Sequence, residues 1–213
     1  MTSRILTLTL AVALALSLFV LAPQLLALRL PGNNQGYEPP QPIAFSHLLH
    51  AGELQVQCLY CHSGAEKSRH AGIPSANVCM NCHRFVTAPL GALRAEDETA
   101  ARENRKPRRL VSPELQKLYD ALALDEAMQP APGKATHPIV WTAVHRLPDF
   151  VYFDHRPHVV AGIACQTCHG PVETMTRVRQ ERPLTMGWCV NCHRESGGAG
   201  TPAASIDCST CHF

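Results

Sequence analysis

Ten cysteines form five Cys-x-x-Cys pairs, Cys58/Cys61, Cys79/Cys82, Cys165/Cys168, Cys189/Cys192 and Cys208/Cys211, and none is left over. A histidine follows every pair: His62, His83, His169, His193 and His212. With His at 12 of 213 positions, five such neighbours by chance have a probability on the order of 10⁻⁶, so the pattern reads as the haem c attachment signature written five times. Two thiols at this spacing can alkylate the two vinyl groups on one porphyrin edge, and the next imidazole then lies under the ring to ligate iron. Structural zinc would take the pairs two by two, leaving one without a mate, and gives no reason for the histidine. A disulfide framework would spread its cysteines to staple distant loops together, whereas these stay three residues apart.

Each iron so held has a second axial position. Seven histidines remain for it: His47, His50, His70, His137, His145, His155 and His158. Two pairs stand in matching contexts, Phe45-Ser46-His47-Leu48-Leu49-His50 and Phe153-Asp154-His155-Arg156-Pro157-His158, and each leads into a haem motif. This is an internal repeat. Three residues apart, the two imidazoles of a pair share one side of a helical turn and can reach two different irons, while the Phe packs on a ring. For the fifth iron His145, in the apolar stretch Trp141 to Pro148, competes with Met186, three residues before Cys189. Met175 is a further thioether, and a His/Met pair would shift that potential upward. His70 and His137 lie in polar or Pro-flanked loops and are expected in solvent.

An interior must hold these motifs, yet the chain has few bulky side chains to build one. Aromatic residues make up 6%, against 17 Pro and 13 Gly. Outside the N-terminal apolar run, roughly 180 residues would carry about one porphyrin per 36 residues, so the haems themselves supply the apolar interior. The expected fold is that of a multihaem cytochrome c, mostly α-helix and irregular loops wrapped around haems, and largely unfolded without them. A net charge of +2 with 17% charged residues gives no reason to propose nucleic acid as a partner and argues against wholesale disorder.

The run Ile5 to Leu28 is interrupted only by Thr7, Thr9, Ser17 and Gln24. As helix it would run about 36 Å, enough to cross a hydrocarbon layer of about 30 Å. Neither Val20-Leu21-Ala22-Pro23 nor Leu25-Leu26-Ala27 makes a good cleavage site, and no cysteine precedes Cys58, so residues 1–30 are expected to stay as a single-pass transmembrane anchor. Arg4 and Arg29 leave the flanking charge even. Bacterial haem c is attached outside the cytoplasmic membrane, which puts the haem region on the periplasmic side.

Residues 31–42, rich in Pro and Gly, read as a linker. A dihaem repeat follows at 43–86, its first cysteines 21 residues apart, then a connecting segment at 87–140 and a trihaem region at 141–213. Within the last, residues 151–195 repeat the dihaem unit at a spacing of 24, and the fifth motif follows. Arg94 to Arg109 carries six basic and four acidic residues, a solvated surface with docking to an acidic partner as the alternative. Ser112-Pro113 then opens a helix whose stripe of Leu115, Leu118, Tyr119 and Leu122 packs on the haem core.

Taken together these residues resemble the pentahaem cytochrome c subunit (ActA type) of bacterial alternative complex III. The resemblance is carried by Gln41-Pro42-Ile43-Ala44-Phe45-Ser46-His47, by Gly72-Ile73-Pro74-Ser75 leading to Val78-Cys79-Met80-Asn81-Cys82-His83, by Val144 to Phe153, and by Pro183-Leu184-Thr185-Met186-Gly187-Trp188-Cys189. It implies a subunit anchored by one helix beside a molybdopterin-oxidoreductase-like iron–sulfur protein and quinol-binding membrane subunits. Such a subunit relays electrons from quinol oxidation toward a monohaem cytochrome c, another soluble carrier or a terminal oxidase. A wire of closely spaced low-spin haems, most of them capped on both sides, would have no substrate chemistry of its own. A multihaem reductase would instead need an iron without a sixth ligand or a Cys-x-x-Cys-Lys motif, and none of the latter occurs. A membrane-anchored multihaem quinol dehydrogenase would oxidise quinol alone.

Overall fold

The computed structural model describes residues 2–27, 34–197 and 203–213. Part of the expected anchor and linker, residues 28–33, lies outside them, as does the segment 198–202. Helix α1, Thr2–Ala27, is 26 residues long, about 39 Å of helix and more than a bilayer core requires. Its side chains from Arg4 to Ala22 are exposed throughout. Thr9 and Ser17 donate their hydroxyls to the Leu6 and Leu14 carbonyls, both at 2.8 Å, so these polar groups are satisfied inside the helix, as hydrocarbon demands. This apolar helix is long enough to span a membrane.

The rest is short helix and loop. A six-residue π-type turn, Leu48–Glu53, is followed by α2 (Cys58–Cys61), α3 (Gly64–Lys67) and α4 (Ala76–His83). Next come α5 (Leu90–Arg102) and α6 (Pro113–Ala121). The second repeat carries α7 (His155–Val160), α8 (Cys165–His169), a 3₁₀ turn at Val172–Thr174 and α9 (Met186–Glu195), and α10 (Cys208–Cys211) follows. Every attachment motif thus begins on, or lies within, a short helix. Among the described residues no strand forms, only the isolated bridges Leu124–Pro130 and Val151–His212.

Few side chains are buried. The apolar ones are Ala65, Ala88, Ala100, Leu118, Tyr119, Ala121, Ala123, Val144 and Met175, over half of them alanine. Large apolar groups around the motifs, Tyr60, Ile73, Phe85, Phe150 and Ile163 among them, stay exposed in the polypeptide alone. A chain of this length would ordinarily bury far more, so the interior is one that the polypeptide only lines.

The two repeats grip each other reciprocally. The segment after the first motif packs on the histidine helix of the second repeat, α3 against α7, and the π-type turn of the first repeat packs on the 3₁₀ turn after the third motif. At the first contact the Arg69 carbonyl accepts from His155 N at 3.2 Å, and the Arg69 guanidinium donates to the Phe153 carbonyl at 3.0 Å while lying 4.4 Å over the Tyr152 ring. At the second, Leu48 N donates to the Met175 carbonyl at 2.9 Å, and a Cβ on Gly52 would collide with the Glu173 carbonyl. Gly170, at φ 73°, turns the chain directly after His169, where a Cβ would sit 2.5 Å from Glu181 Cγ.

The connecting segment closes on itself. Ser112 caps α6 by accepting from Leu115 N at 3.3 Å with Pro113 in the first turn, and Leu118 and Tyr119 are the buried members of its stripe. Tyr119 donates to the His83 carbonyl at 2.6 Å, which ties α6 to the second motif, and Glu114 accepts from Ala44 N at 2.7 Å. In the charged run Arg105 pairs with Glu96 at 2.5 Å and Glu103 at 2.6 Å, and Glu96 also accepts from Arg108 N at 2.7 Å. Hydrogen bonds from Arg105 and then Arg108 hold the Glu96 carboxyl down at about 2. These charges answer one another within the segment.

Candidate functional site

Both Phe-x-His-x-x-His segments fold alike, and the reason is local. In each, the residue after the Phe offers its carbonyl to the Nδ1 of the second histidine four positions on: Ser46 to His50 and Asp154 to His158, both at 2.8 Å. The same residue caps the turn with its side chain, Ser46 accepting from Leu49 N at 3.2 Å and Asp154 from Arg156 N at 2.9 Å. The Arg156 guanidinium pairs with Asp154 and keeps its carboxyl at about 2. The Phe ring fits between the two imidazoles. Phe45 stacks on His50 at 4.3 Å and meets His47 edge-on at 4.9 Å; Phe153 does the same with His158 at 4.8 Å and His155 at 4.9 Å. The ring on which each Phe packs is thus imidazole.

Across from these four imidazoles stand four histidines that each follow a Cys-x-x-Cys pair. Ring centroids are 6.5 Å apart for His47 and His62, 6.0 Å for His50 and His83, 6.3 Å for His155 and His169, and 6.0 Å for His158 and His193. Two metal–nitrogen bonds of about 2 Å, with about 1.1 Å from nitrogen to centroid on either side, give about 6.2 Å between imidazoles that share one metal. The spacing fits an iron between each pair. Hydrogen bonds at the far nitrogens fix which atom faces it: Nδ1 of His62 is 2.7 Å from the Gly72 carbonyl, of His83 2.8 Å from Val86, of His193 2.7 Å from Ser205 and of His155 2.9 Å from Arg69. With Nδ1 as donor to a carbonyl, Nε2 carries the free lone pair. His47 differs, its Nδ1 being buried without a partner. Burial above all, then neighbouring imidazoles, lowers His47 to about 4 and His169 to about 3, so both are held neutral, the form in which a histidine binds metal.

The fifth motif is built differently. His212 has the Phe150 ring at 5.8 Å and the Phe150 carbonyl 3.4 Å from its Nδ1, and no histidine ring among the described residues faces it. Tyr152 N donates to the Cys211 carbonyl at 2.7 Å, docking α10 just ahead of α7. His145, a candidate for that sixth position, makes its ring contact elsewhere: its centroid is 4.3 Å from that of His169, with Nε2 3.3 Å from His169 Nδ1. Met186 opens α9 and is 65% exposed, and Met175 is buried beside the repeat interface. His70 and His137 are exposed. Arg69 and Gln41, which clamp distant segments by hydrogen bonds, carry no local pattern that would have marked them.

Residues 151–213, the second histidine pair with the last three motifs, match the family described as cytochrome c7 and related cytochrome c. The fold is that of a multihaem cytochrome c. Its chemistry is electron transfer by covalently bound haem c. The chain is also similar to the multihaem cytochrome c subunit of the menaquinone reductase of Nitratidesulfovibrio vulgaris, 26% identical over 192 residues covering 81% of this chain and 76% of the relative.

Cysteines of different motifs neighbour one another. Burial raises the Cys79 thiol, and Cys61 of the first motif raises it further. Cys165 of the third motif is raised in the same way, with Cys58 of the first as its neighbour. Burial raises the Cys168 thiol, with Cys192 and Cys189 of the fourth motif adding to it, and burial raises Cys189, with Cys211 of the fifth adding to it. The motifs therefore follow one another in space as second, first, third, fourth and fifth. The first and third meet where the two repeats grip each other.

Proposed function

We propose that this chain is the electron-relay subunit of a membrane quinol-oxidising complex of the alternative complex III type, carrying five haems c. The observation that carries it is the set of four imidazole pairs at 6.0 to 6.5 Å, which would close both axial positions of four irons and leave them nothing to do but exchange electrons. His62, His83, His169, His193 and His212 are the proximal ligands, and His47, His50, His155 and His158 the distal ligands of motifs one to four. Bound haem c would supply one-electron exchange at iron, passed between the motifs that neighbour one another.

The polypeptide's part is to hold the imidazole pairs in place. The Phe rings lock the distal imidazoles, the backbone carbonyls orient the proximal ones, and the reciprocal grip of the repeats brings the first and third motifs together. Helix α1 anchors the assembly, with the haem region on the periplasmic side. The partners are an iron–sulfur subunit of molybdopterin-oxidoreductase type and quinol-binding membrane subunits, with a monohaem cytochrome c, another soluble carrier or a terminal oxidase as acceptor. A second reading comes from the name of the relative: a menaquinone reductase subunit would pass electrons the other way.

Affinity purification of the tagged chain from membranes, with alkaline pyridine spectroscopy and identification of co-purifying subunits, tests the proposal. Five haems per chain, a large iron–sulfur partner and haem reduction by added quinol are expected. Fewer haems or no such partner would overturn it. Reduced haems that are oxidised by quinone, in a complex where quinol does not reduce them, would establish the second reading.

A further inference from the structure

The first and third motifs hold equivalent places in the two repeats, but their histidines differ in what receives Nδ1. His62 has the Gly72 carbonyl at 2.7 Å, whereas His169 has Nε2 of His145 at 3.3 Å. Where Nδ1 of the other paired imidazoles has a partner, that partner is a backbone carbonyl. An imidazole that gives Nε2 to iron keeps its proton on Nδ1, so His169 donates, His145 accepts through Nε2, and the proton of a neutral His145 sits on its own Nδ1. The contact is built in. Gln41, from the lead-in to the first repeat, clamps the backbone at Thr142 in both directions, its Nε2 donating to the carbonyl at 3.0 Å and its Oε1 accepting from the amide at 2.9 Å. Val144 is buried beside His145, and the two imidazoles meet edge-on at 78°.

We propose that His145 is a positioning residue for His169, which fixes the plane of that imidazole and strengthens its donor nitrogen, so that the third motif's iron has a lower reduction potential with His145 in place than without it. The inference rests on the proposed haem loading of the third motif. An acceptor on the far nitrogen makes a ligating imidazole more basic, which favours the ferric state, and such partners commonly change metal-site equilibria by tenfold or more. They act without touching the metal.

The test uses the full-length, haem-matured chain in its membrane complex, with His145→Leu, which removes the acceptor, and His145→Gln, which retains one. Potentiometric titration at the haem band should show one midpoint raised in His145→Leu by about tenfold in its equilibrium constant, about 59 mV for one electron. His145→Gln should return most of that shift. Haem content and the number of low-spin signals in electron paramagnetic resonance should not change. No midpoint shift in His145→Leu would overturn the inference, and so would a new high-spin iron, which would make His145 an axial ligand. If thioether-peptide mass spectrometry of the wild-type chain found no haem on Cys165 and Cys168, the proposed function would fail first and take this inference with it.

Discussion

Replacing Phe153 by Leu should loosen two imidazoles at once. The ring lies 4.8 Å from His158 in a stacked arrangement and 4.9 Å from His155 edge-on. Aromatic contacts of this kind contribute about 0.5–1.5 kcal/mol each beyond the area they bury. Leucine keeps the apolar volume, so the cavity cost stays small and the change isolates the loss of the flat face. Each imidazole is then held less firmly by about 0.5–1.5 kcal/mol, which shifts its equilibrium between on and off the iron by roughly 2- to 13-fold. Carbon monoxide competes for that position in the reduced protein. Titration of the dithionite-reduced full-length chain should therefore show carbon monoxide affinity rising by that factor at two irons, with haem content unchanged. Phe45→Leu should do the same through His47 and His50, whose rings lie at 4.9 and 4.3 Å. Unchanged affinity in both variants, or a gain at only one iron in each, would refute the wedge as the device that holds two ligands.

Tyr119→Phe removes a hydroxyl that reaches the His83 carbonyl at 2.6 Å from a nearly buried position, so thermal unfolding should show a loss of about 1 kcal/mol and a melting temperature lower by about 2–4 °C. Arg69→Ala should cost more, about 2–4 kcal/mol, because a charged donor to the Phe153 carbonyl and a cation over the Tyr152 ring are lost together; Arg69→Lys cannot reproduce both, and calorimetry on the haem-loaded protein compares the two. Glu96 is held at about 2, below its ordinary value of 4.5. Its contribution is therefore complete above about 4.5 and drains as pH falls toward about 2. Protection of residues 103–110 against hydrogen exchange, taken relative to the intrinsic rate at each pH, should hold at pH 5 and fall only below about 4, whereas Glu96→Gln should lose it at pH 7. Replacing residues 1–30 with a cleavable secretion signal, in cells that lack the proposed partner subunits, should release a water-soluble cytochrome with an unaltered haem spectrum, and one that stays in the membrane fraction would contradict α1 as the anchor.

Much of this protein is written in short intervals of sequence. The Cys-x-x-Cys-His runs are dictated by the width of a porphyrin edge, so reading them needs no fold. The duplicated Phe-x-His-x-x-His segment is equally local: the i to i+4 bond from Ser46 or Asp154 to the second histidine, and the Phe between the rings, follow from a single turn of chain. Helix α1 and the Ser112-Pro113 start of α6 were legible for the same reason, since apolar run length and capping depend only on neighbours. The charged run from Arg94 to Arg109 reads as solvated surface from composition, and its pairing of Glu96 with Arg105 and Arg108 emerges only when the segment turns back on α5.

Where segments far apart in the chain meet, local spacing has nothing to say. His145 and His169 are 24 residues apart, and whether His145 Nε2 faces an iron or another imidazole depends on how the stretch from Trp141 to Pro148, pinned by Gln41, is laid across α8. The spatial order of the motifs likewise departs from their order along the chain, because Arg69, Leu48 and Gly52 lock one repeat into the other and bring Cys58 beside Cys165. Covalent reach determines which side chains can serve one porphyrin. Which porphyrins become neighbours is settled by hydrogen bonds and close contacts between segments, and these exist only once the chain has folded back on itself.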